Sequence, residues 1–392
     1  MYVSILGRQP ELSLAELEKT IGADNVIPLS NKAALIDKKG GLNINHLGGT
    51  IKLGLAIKEL GSEKKWDSLV NRLINHYTDK WSSSEAKITL GISYYGQGHS
   101  EKDIQKIGIL IKQKLKKKNV SLRLVPNKEP SLSSAVSHHN KLGLSDNKVE
   151  LFIIQSEDGR ILVAESIGSQ NITAYAKRDK KRPRRDAFVG MLPPKLAQIM
   201  INLAIGDNKS DRSLRLLDPF CGTGVVLQEA AMMGLRVMGT DISQKMVDYS
   251  GENLEWLEKT HGLKIDKTLK PGDATTTKWQ KPIDVVVSEV YLGQPFSAPP
   301  SDSKLNEVKN NCRQIIIQFL QNLDPQIDSG TTLCLAVPAW LNKNGALERL
   351  QIAALLEKNG YRQHSFESFK GPLIYKREKQ IVARELLVLE KR

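Results

Sequence analysis

The chain has 392 residues, 40% of them hydrophobic, with a mean hydropathy of −0.32, and reads as a soluble globular protein of two or three domains. No apolar stretch reaches the roughly 18 residues of a membrane span, and the start MYVSILGRQPELSLAELEKTIG lacks the basic segment and apolar core of a signal peptide. The net charge is +14, and residues 1–185 carry 31 Lys and Arg against 19 Asp and Glu, so nearly all the excess lies in the N-terminal half. That asymmetry points to a polyanion-binding front on a nearly neutral second half, with a merely solvated basic surface as the alternative.

In chain order, MYVSIL is an expected strand and PELSLAELEKTIG an amphipathic helix, with Pro10 near its start and Gly22 just past its end. KAALID is a second strand. INHLGGTIKLGLAIKEL reads as at least partly helical, against the Gly48-Gly49 pair. WDSLVNRLINHYTDKW and EKDIQKIGILIKQKLKKKN have helical spacing. In the latter, Leu110, Ile111 and Leu115 face a core, and Lys112, Lys114, Lys116, Lys117 and Lys118 face out, either as a solvated end or as phosphate contacts. KITLGISYY, SLRLVP, VELFIIQS and RILVAESI are strands, with alternation predicting one of Tyr94 and Tyr95 in and the other out. Trp66, Trp81 and Trp256 read as core. YAKRDKKRPRRDAFVGMLPP has the composition of a basic linker, an inert tether or a phosphate clamp. The expected division is 1–60, 61–175, a linker over 176–193, and a last domain over 194–392.

From Pro194 helices and strands alternate: PKLAQIMINLAI, RSLRLLDPF, GVVLQEAAMMG, LRVMGTDIS, KMVDYSGENLEWLEKTHG, a short strand before LKPGDATT, IDVVVSEV, NEVKNNCRQIIIQFLQNLD, GTTLCLAVPAW and ALERLQIAALLEKNG. Two strands, YRQHSFESF and KQIVARELLVLEK, close the chain. Repeated strand–helix units imply α/β structure with a doubly wound parallel sheet. Two consecutive strands imply an antiparallel edge.

The sharpest local signal is RLLDPFCGTGVVLQEAA. A strand ends at Asp218, Gly222 and Gly224 allow a tight turn that approaches a ligand, and a helix starts at once, its free N–H groups facing anionic ligand groups. It is not a Walker loop, and Leu227 breaks G-x-G-x-x-G, so a dinucleotide site is weakly supported. Asp241, at the end of the next strand, is placed to accept bonds from a ribose diol. Asp273 stands at a third strand end. Cys221, Cys312 and Cys334 form no C-x-x-C, which fits a reducing cytoplasm and speaks against a zinc site. His138-His139 lacks a third ligand, and no metal is expected.

On LLDPFCGTG, MLPPKLAQIMINLA and YKREKQIVARELLVLEK the chain resembles class I S-adenosylmethionine-dependent methyltransferases, and more narrowly the THUMP-domain tRNA guanosine-N2 methyltransferases of the archaeal and Trm-eleven type. The resemblance implies a Rossmann-like methyltransferase domain with a seven-stranded sheet, preceded by a ferredoxin-like and a THUMP domain. It implies that Asp218, Gly222 and Gly224 hold the methionine part of the cofactor, that Asp241 binds the ribose hydroxyls, and that Asp273 binds the adenine amine with Ala274 beside the ring. Pro219, Cys221 and Ile242 are further cofactor-binding candidates, Cys221 by packing rather than chemistry. The partner implied is tRNA or another structured RNA, held by the THUMP unit and by Lys177, Arg178, Lys181, Arg182, Arg184 and Arg185. An accessory subunit is left open.

The chain departs from the family after its fourth strand. Family members that methylate an exocyclic amine carry Asp-Pro-Pro-Tyr or a relative there. Side-chain oxygen and backbone carbonyl accept the amine protons, and the aromatic ring stacks on a flipped base. This chain has Ser288-Glu289-Val290-Tyr291. Ser288, Glu289 and Tyr291 are the catalytic candidates: Ser288 takes the acid's position, or Glu289 does after a shift of one residue. An active amine methyltransferase is the expected reading. The alternatives are another target atom or substrate, DNA included, and an RNA-binding protein without turnover. Methylation at pyrimidine C5 is disfavoured, since it needs a cysteine nucleophile and Ser288–Pro295 has none.

Overall fold

The computed structural model describes residues 1–38, 40–186, 192–207, 213–378 and 380–392. The chain forms two compact units: residues 1–10, 24–45 and 49–174, and residues 11–23, 46–48 and 175–392.

The first unit contains β1 (Tyr2–Leu6), then, after α1 (Pro10–Ile21) has left for the second unit, β2 (Val26–Ser30), β3 (Ala33–Ile36), β4 (Thr50–Ala56) and β5 (Ser62–Glu63). It continues with α2 (Trp66–Lys80), β6 (Ile88–Tyr95), α3 (Glu101–Lys117), β7 (Leu122–Leu124), α4 (Ser134–His139), β8 (Lys148–Gln155) and β9 (Ile161–Ser169). One sheet runs through all of it in the order β2-β3-β1-β4-β9-β8-β6-β7, with β5 on β9. The boundary expected at 60/61 therefore falls inside a continuous sheet. β4 lies where the helical reading had been placed. Its register against β1 and β9 outweighs the local periodicity, and Gly54 is needed there, because a Cβ would sit 2.9 Å from the Glu165 carbonyl oxygen. Both Tyr94 and Tyr95 are buried, since β6 is covered on both faces. Tyr94 packs with Leu73, Ile104 and Ile111 under α2 and α3, and Tyr95 with Val3, Ile5 and Phe152 on the other side. Lys52 is buried and paired to Glu150, which also accepts from Ser93 Oγ at 2.5 Å, while Lys52 Nζ donates to the Leu132 carbonyl at 2.6 Å. Helix α3 starts on a capping box of Ser100 and Asp103, and its lysines face solvent as expected.

The second unit contains α5 (Ile172–Lys180, from Tyr175 on), α6 (Pro194–Ile205), β10 (Arg215–Asp218), α7 (Val225–Met232), β11 (Arg236–Asp241), α8 (Gln244–His261), β12 (Lys267–Pro271) and β13 (Val285–Glu289). It ends with α9 (Asp302–Leu323), β14 (Thr332–Leu341), β15 (Leu347–Arg349), α10 (Ala353–Lys358), β16 (Tyr361–Gln363), β17 (Leu373–Tyr375) and β18 (Val382–Lys391). The sheet order is β12-β11-β10-β13-β14-β18-β16; the strands from β12 to β14 are parallel and β18 is antiparallel. Seven strands were expected. Two short ones, β15 on β14 and β17 on β18, make nine, and β15 occupies the start of the stretch read as a single helix.

Apolar layers cover both faces. Leu196, Met200, Leu227 and Leu254 lie on one, and Ile316, Phe319, Leu320 and Trp340 on the other. Leu12 and Ala15 of α1 belong to the first layer, and Glu16 accepts from Asn202 Nδ2 at 2.5 Å and from the Gly48 amide at 2.8 Å. A Cβ at Gly48 would sit 2.4 Å from the Lys195 carbonyl oxygen, so only glycine permits that approach. The linker is structured where it is described: α5 runs to Lys180, while residues 187–191 of it lie outside the described set. Among the described residues, no helix is long and apolar enough to cross a membrane.

Candidate active site

In a doubly wound sheet, ligands gather beyond the C-terminal ends of the parallel strands. Four acids stand at four adjacent ends here: Asp218 on β10, Asp241 on β11, Asp273 two residues past β12, and Glu289 on β13. Sequence spacing had picked out three of them as a set.

The glycine turn between β10 and α7 is built for close approach. Gly222 and Gly224 have φ of 50° and 79°, a backbone that side chains rarely adopt. A Cβ at Gly222 would meet open space, whereas one at Gly224 would lie 2.7 Å from Ser250 Oγ. Asp241 accepts from the Gly222 amide at 3.0 Å through Oδ2 and from the Ser243 amide at 3.0 Å through Oδ1. Beside it, Ile242 is 77% exposed. Asp273 Oδ1 accepts from the Thr275 amide and hydroxyl at 2.8 and 2.7 Å, and the Ala274 carbonyl accepts from Asn322 Nδ2 at 3.0 Å. Pro219 is buried, its carbonyl accepting from Thr240 Oγ1 at 3.3 Å. Cys221 is buried as well, and burial pushes its thiol up, so it packs rather than reacts.

Residues on α8 that the motif reading did not single out hold this turn. Ser250 Oγ donates to the Gly222 carbonyl at 2.8 Å, and Asn253 Nδ2 donates to the Thr223 carbonyl at 2.9 Å. The sequence signal was two polar residues, Ser250 and Asn253, on the stripe that Met246, Val247, Leu254 and Leu257 otherwise make apolar.

The loop after β13 divides the three catalytic candidates. Ser288 is fully buried, and its hydroxyl donates to Asp218 Oδ1 at 2.6 Å. Asp218 also accepts from the Phe220 amide at 3.2 Å. Burial pushes the Asp218 carboxyl up to about 7. The Ser288 and Phe220 bonds oppose that rise, and the charges of Asp241 and Glu289 add to it. Glu289 points to the other face, where Oε1 accepts from Arg384 Nε at 2.6 Å. Tyr291 is 41% exposed. Glu289 and Tyr291 thus keep some exposure, 15% for the Glu289 side chain, where Ser288 has none.

The six basic residues of the linker separate in the same way. Lys177, Lys181 and Arg185 are exposed. Arg178 is buried in a two-bond pair with Glu229, at 2.6 and 3.0 Å. Arg182 is 3% exposed, and its three guanidinium nitrogens have no hydrogen-bond partner among the described residues. Neither Arg178 nor Arg182 is presented to a phosphate. Arg184 pairs with Glu252 at 2.7 Å and lies over the Tyr249 ring. Its backbone exchanges two bonds with the Asn253 amide, which ties the basic segment to the helix that holds the glycine turn.

Comparisons with known proteins place this geometry. Residues 181–365 match a family model described as RMKL-like, methyltransferase domain. A tRNA (guanine(10)-N2)-dimethyltransferase of Methanothermobacter thermautotrophicus is 30% identical over 189 residues, 47% of this chain and 50% of that protein. A probable tRNA (guanine(10)-N2)-dimethyltransferase of Methanothermococcus thermolithotrophicus is 32% identical over 125 residues, 31% of this chain and 73% of that protein. The crystal structure of TrmN from Thermus thermophilus superposes with a TM-score of 0.55 at 15% identity, over 100% of this chain and 99% of that one, a likeness of fold. The site thus lies in a methyltransferase domain of mixed α/β fold. The chain belongs to the tRNA guanine-N2 methyltransferase family. It spans about half the length of the first curated relative it matches.

Proposed function

We propose that the chain uses S-adenosylmethionine to methylate the exocyclic N2 amine of a guanine in tRNA. In this reading the first unit, whose sheet runs from β1 to β9, supplies THUMP-type RNA binding, with further phosphate contacts falling to the exposed Lys177, Lys181 and Arg185. The family, the partly exposed Glu289 that closes β13 and the exposed Tyr291 just past it support it.

The donor set fits the cofactor. Each oxygen of the Asp241 carboxylate accepts one backbone bond and keeps lone-pair capacity for a ribose hydroxyl. The exposed Ile242 offers an apolar face to an adenine ring, and the open space at Gly222 leaves room for a ligand against the backbone. When bound, S-adenosylmethionine supplies an electrophilic methyl group. The chain's own task is to orient the amine. An aryl amine's lone pair is delocalised into its ring, and acceptors on its two protons turn that lone pair out of the plane. Glu289 Oε2 serves as one acceptor, with a backbone carbonyl of the loop as the other, and Tyr291 stacks on the base.

The observation that carries this assignment is the direction of the Ser288 hydroxyl. Turned inward to Asp218 and fully buried, it leaves Glu289, at the end of β13, as the partly exposed acid of the segment. The test is transfer of labelled methyl to unmodified tRNA, followed by nucleoside analysis of wild type, Ser288→Ala and Glu289→Gln. N2-methylguanosine, formed at a much lower but measurable rate by Glu289→Gln, whose amide oxygen is a weaker acceptor, and at a moderately reduced rate by Ser288→Ala, is the expected result. Binding of cofactor and tRNA without any methylated nucleoside would refute the assignment and leave an RNA-binding role.

A further inference from the structure

Glu289 is held by a residue 95 positions away in sequence. In the sheet, Glu289 pairs with Ala336 of β14, and Ala336 pairs in turn with Leu386 of β18. Arg384 lies two residues from Leu386 on the same strand, so its side chain leaves on the same face. It reaches across β14 and donates through Nε to Glu289 Oε1 at 2.6 Å, with side-chain exposures of 5% for Arg384 and 15% for Glu289.

Three features set this pair apart from ordinary sheet packing. It lies at the C-terminal end of β13, on the strand next to Asp218 of β10, close enough for the Glu289 charge to act on the Asp218 carboxyl. The Arg384 guanidinium balances that charge from β18, across β14. The bond engages one carboxylate oxygen and leaves the second for another donor. Finally, a charge pair this buried is a poor way to gain stability, because apolar residues of the same volume serve the fold as well or better. We infer that Arg384 is a positioning residue of the active site: it fixes the Glu289 carboxylate so that Oε2 meets the amine of the substrate base. The inference rests on the methyl-transfer reading above.

The test is a double-mutant cycle on the full chain with an unmodified tRNA transcript. It compares wild type, Arg384→Gln, Arg384→Lys, Glu289→Gln and the double variant Arg384→Gln/Glu289→Gln. The readouts are kcat, KM for tRNA, and cofactor affinity by calorimetry. Arg384→Gln is expected to lower kcat about 100-fold while KM and the cofactor Kd stay within about threefold. Arg384→Lys, which keeps the charge and loses the planar fork, should recover about a tenth of wild-type kcat. The double variant should be no slower than Glu289→Gln alone, because Arg384 acts only through Glu289. Additive losses in the double variant, or an Arg384→Gln enzyme within threefold of wild type, would overturn the inference. If Arg384→Gln does not fold, the lysine variant decides: full activity overturns the inference, and a fall in kcat at unchanged cofactor Kd supports it. A wild type that binds the cofactor and transfers no methyl group to tRNA defeats the methyl-transfer reading itself and this inference with it. An active wild type with an insensitive Arg384 defeats this inference alone.

Discussion

The Asp218 carboxyl makes the folded chain sensitive to pH in a direction opposite to that of most acids. Its usual value is 3.8, and burial raises it to about 7 in the folded protein. Below about pH 4 it is neutral in both folded and unfolded chains and costs nothing. Between about pH 4 and 7 the unfolded chain releases the proton while the folded chain keeps it. Stability then falls with rising pH by about 1.4 kcal/mol per pH unit. By pH 7 the loss is complete and amounts to at most about 4 kcal/mol, less to the extent that the folded chain relaxes around the charge. Asparagine cannot ionise and can still accept the Ser288 hydroxyl. Asp218→Asn should therefore match wild type near pH 4 and gain on it steadily up to pH 7. In a unit of about 200 residues each kcal/mol moves Tm by about 2–4 °C, so a gap of several degrees is expected. Thermal unfolding of the cofactor-free proteins from pH 4.5 to 8.5, followed by circular dichroism, measures it. Ser288→Ala serves as the second arm. It removes a bond that holds the carboxyl down, so its stability loss should extend to higher pH than that of wild type. A Tm difference between Asp218→Asn and wild type that is constant across this range would refute the account of Asp218 as a buried, largely protonated acid.

The remaining predictions concern the turn and the linker. Gly224→Ala should cost about 2–3 kcal/mol, combining a left-handed backbone with a clash at Ser250 Oγ, whereas Gly222→Ala, strained only in φ, should cost about 1 kcal/mol; denaturant unfolding gives both. Asp241→Ala should weaken S-adenosylmethionine binding about 10- to 100-fold by calorimetry with little change in Tm, since the residue is partly exposed and anchors only two loop amides. Arg178→Met leaves Glu229 buried and unpaired and should lose about 3–5 kcal/mol of stability. Arg185→Ala should leave Tm unchanged and instead weaken tRNA binding, lowering the slope of log affinity against log salt by about 1.

Much of the fold was legible because local and tertiary signals agreed. Helix α3 carries its own capping box and an apolar stripe, and the strands of the second unit end at turn residues that also build the site. The glycine turn with Asp218, Asp241 and Asp273 could be read from spacing alone, because Asp218 and Asp241 close their strands and Asp273 follows its strand by two residues. β4 could not. Its sequence suits a helix almost as well as a strand, and what decides between them is pairing with β9, more than 100 residues on. The direction of Ser288 was hidden for a similar reason. It depends on a buried carboxyl 70 residues earlier, and a serine in the family's acid position looks available to a substrate until its hydroxyl is seen turned inward and fully buried. Charge in the linker was legible only as a total. Composition cannot separate Arg178, which closes a buried pair, from Arg185, which faces water.

The first 60 residues serve two folding units at once. Their strands continue the sheet of the first unit, where Lys52 neutralises Glu150 of β8. The helix between β1 and β2 lies in the apolar layer of the second. A fragment begun at residue 61 would leave Glu150 buried without its cation, bare the long edge of β9, and take Leu12 and Ala15 out of a core elsewhere. The stretch therefore does not come away as a cassette: removing it opens a sheet edge and a helical layer together, and a shortened form should cut elsewhere.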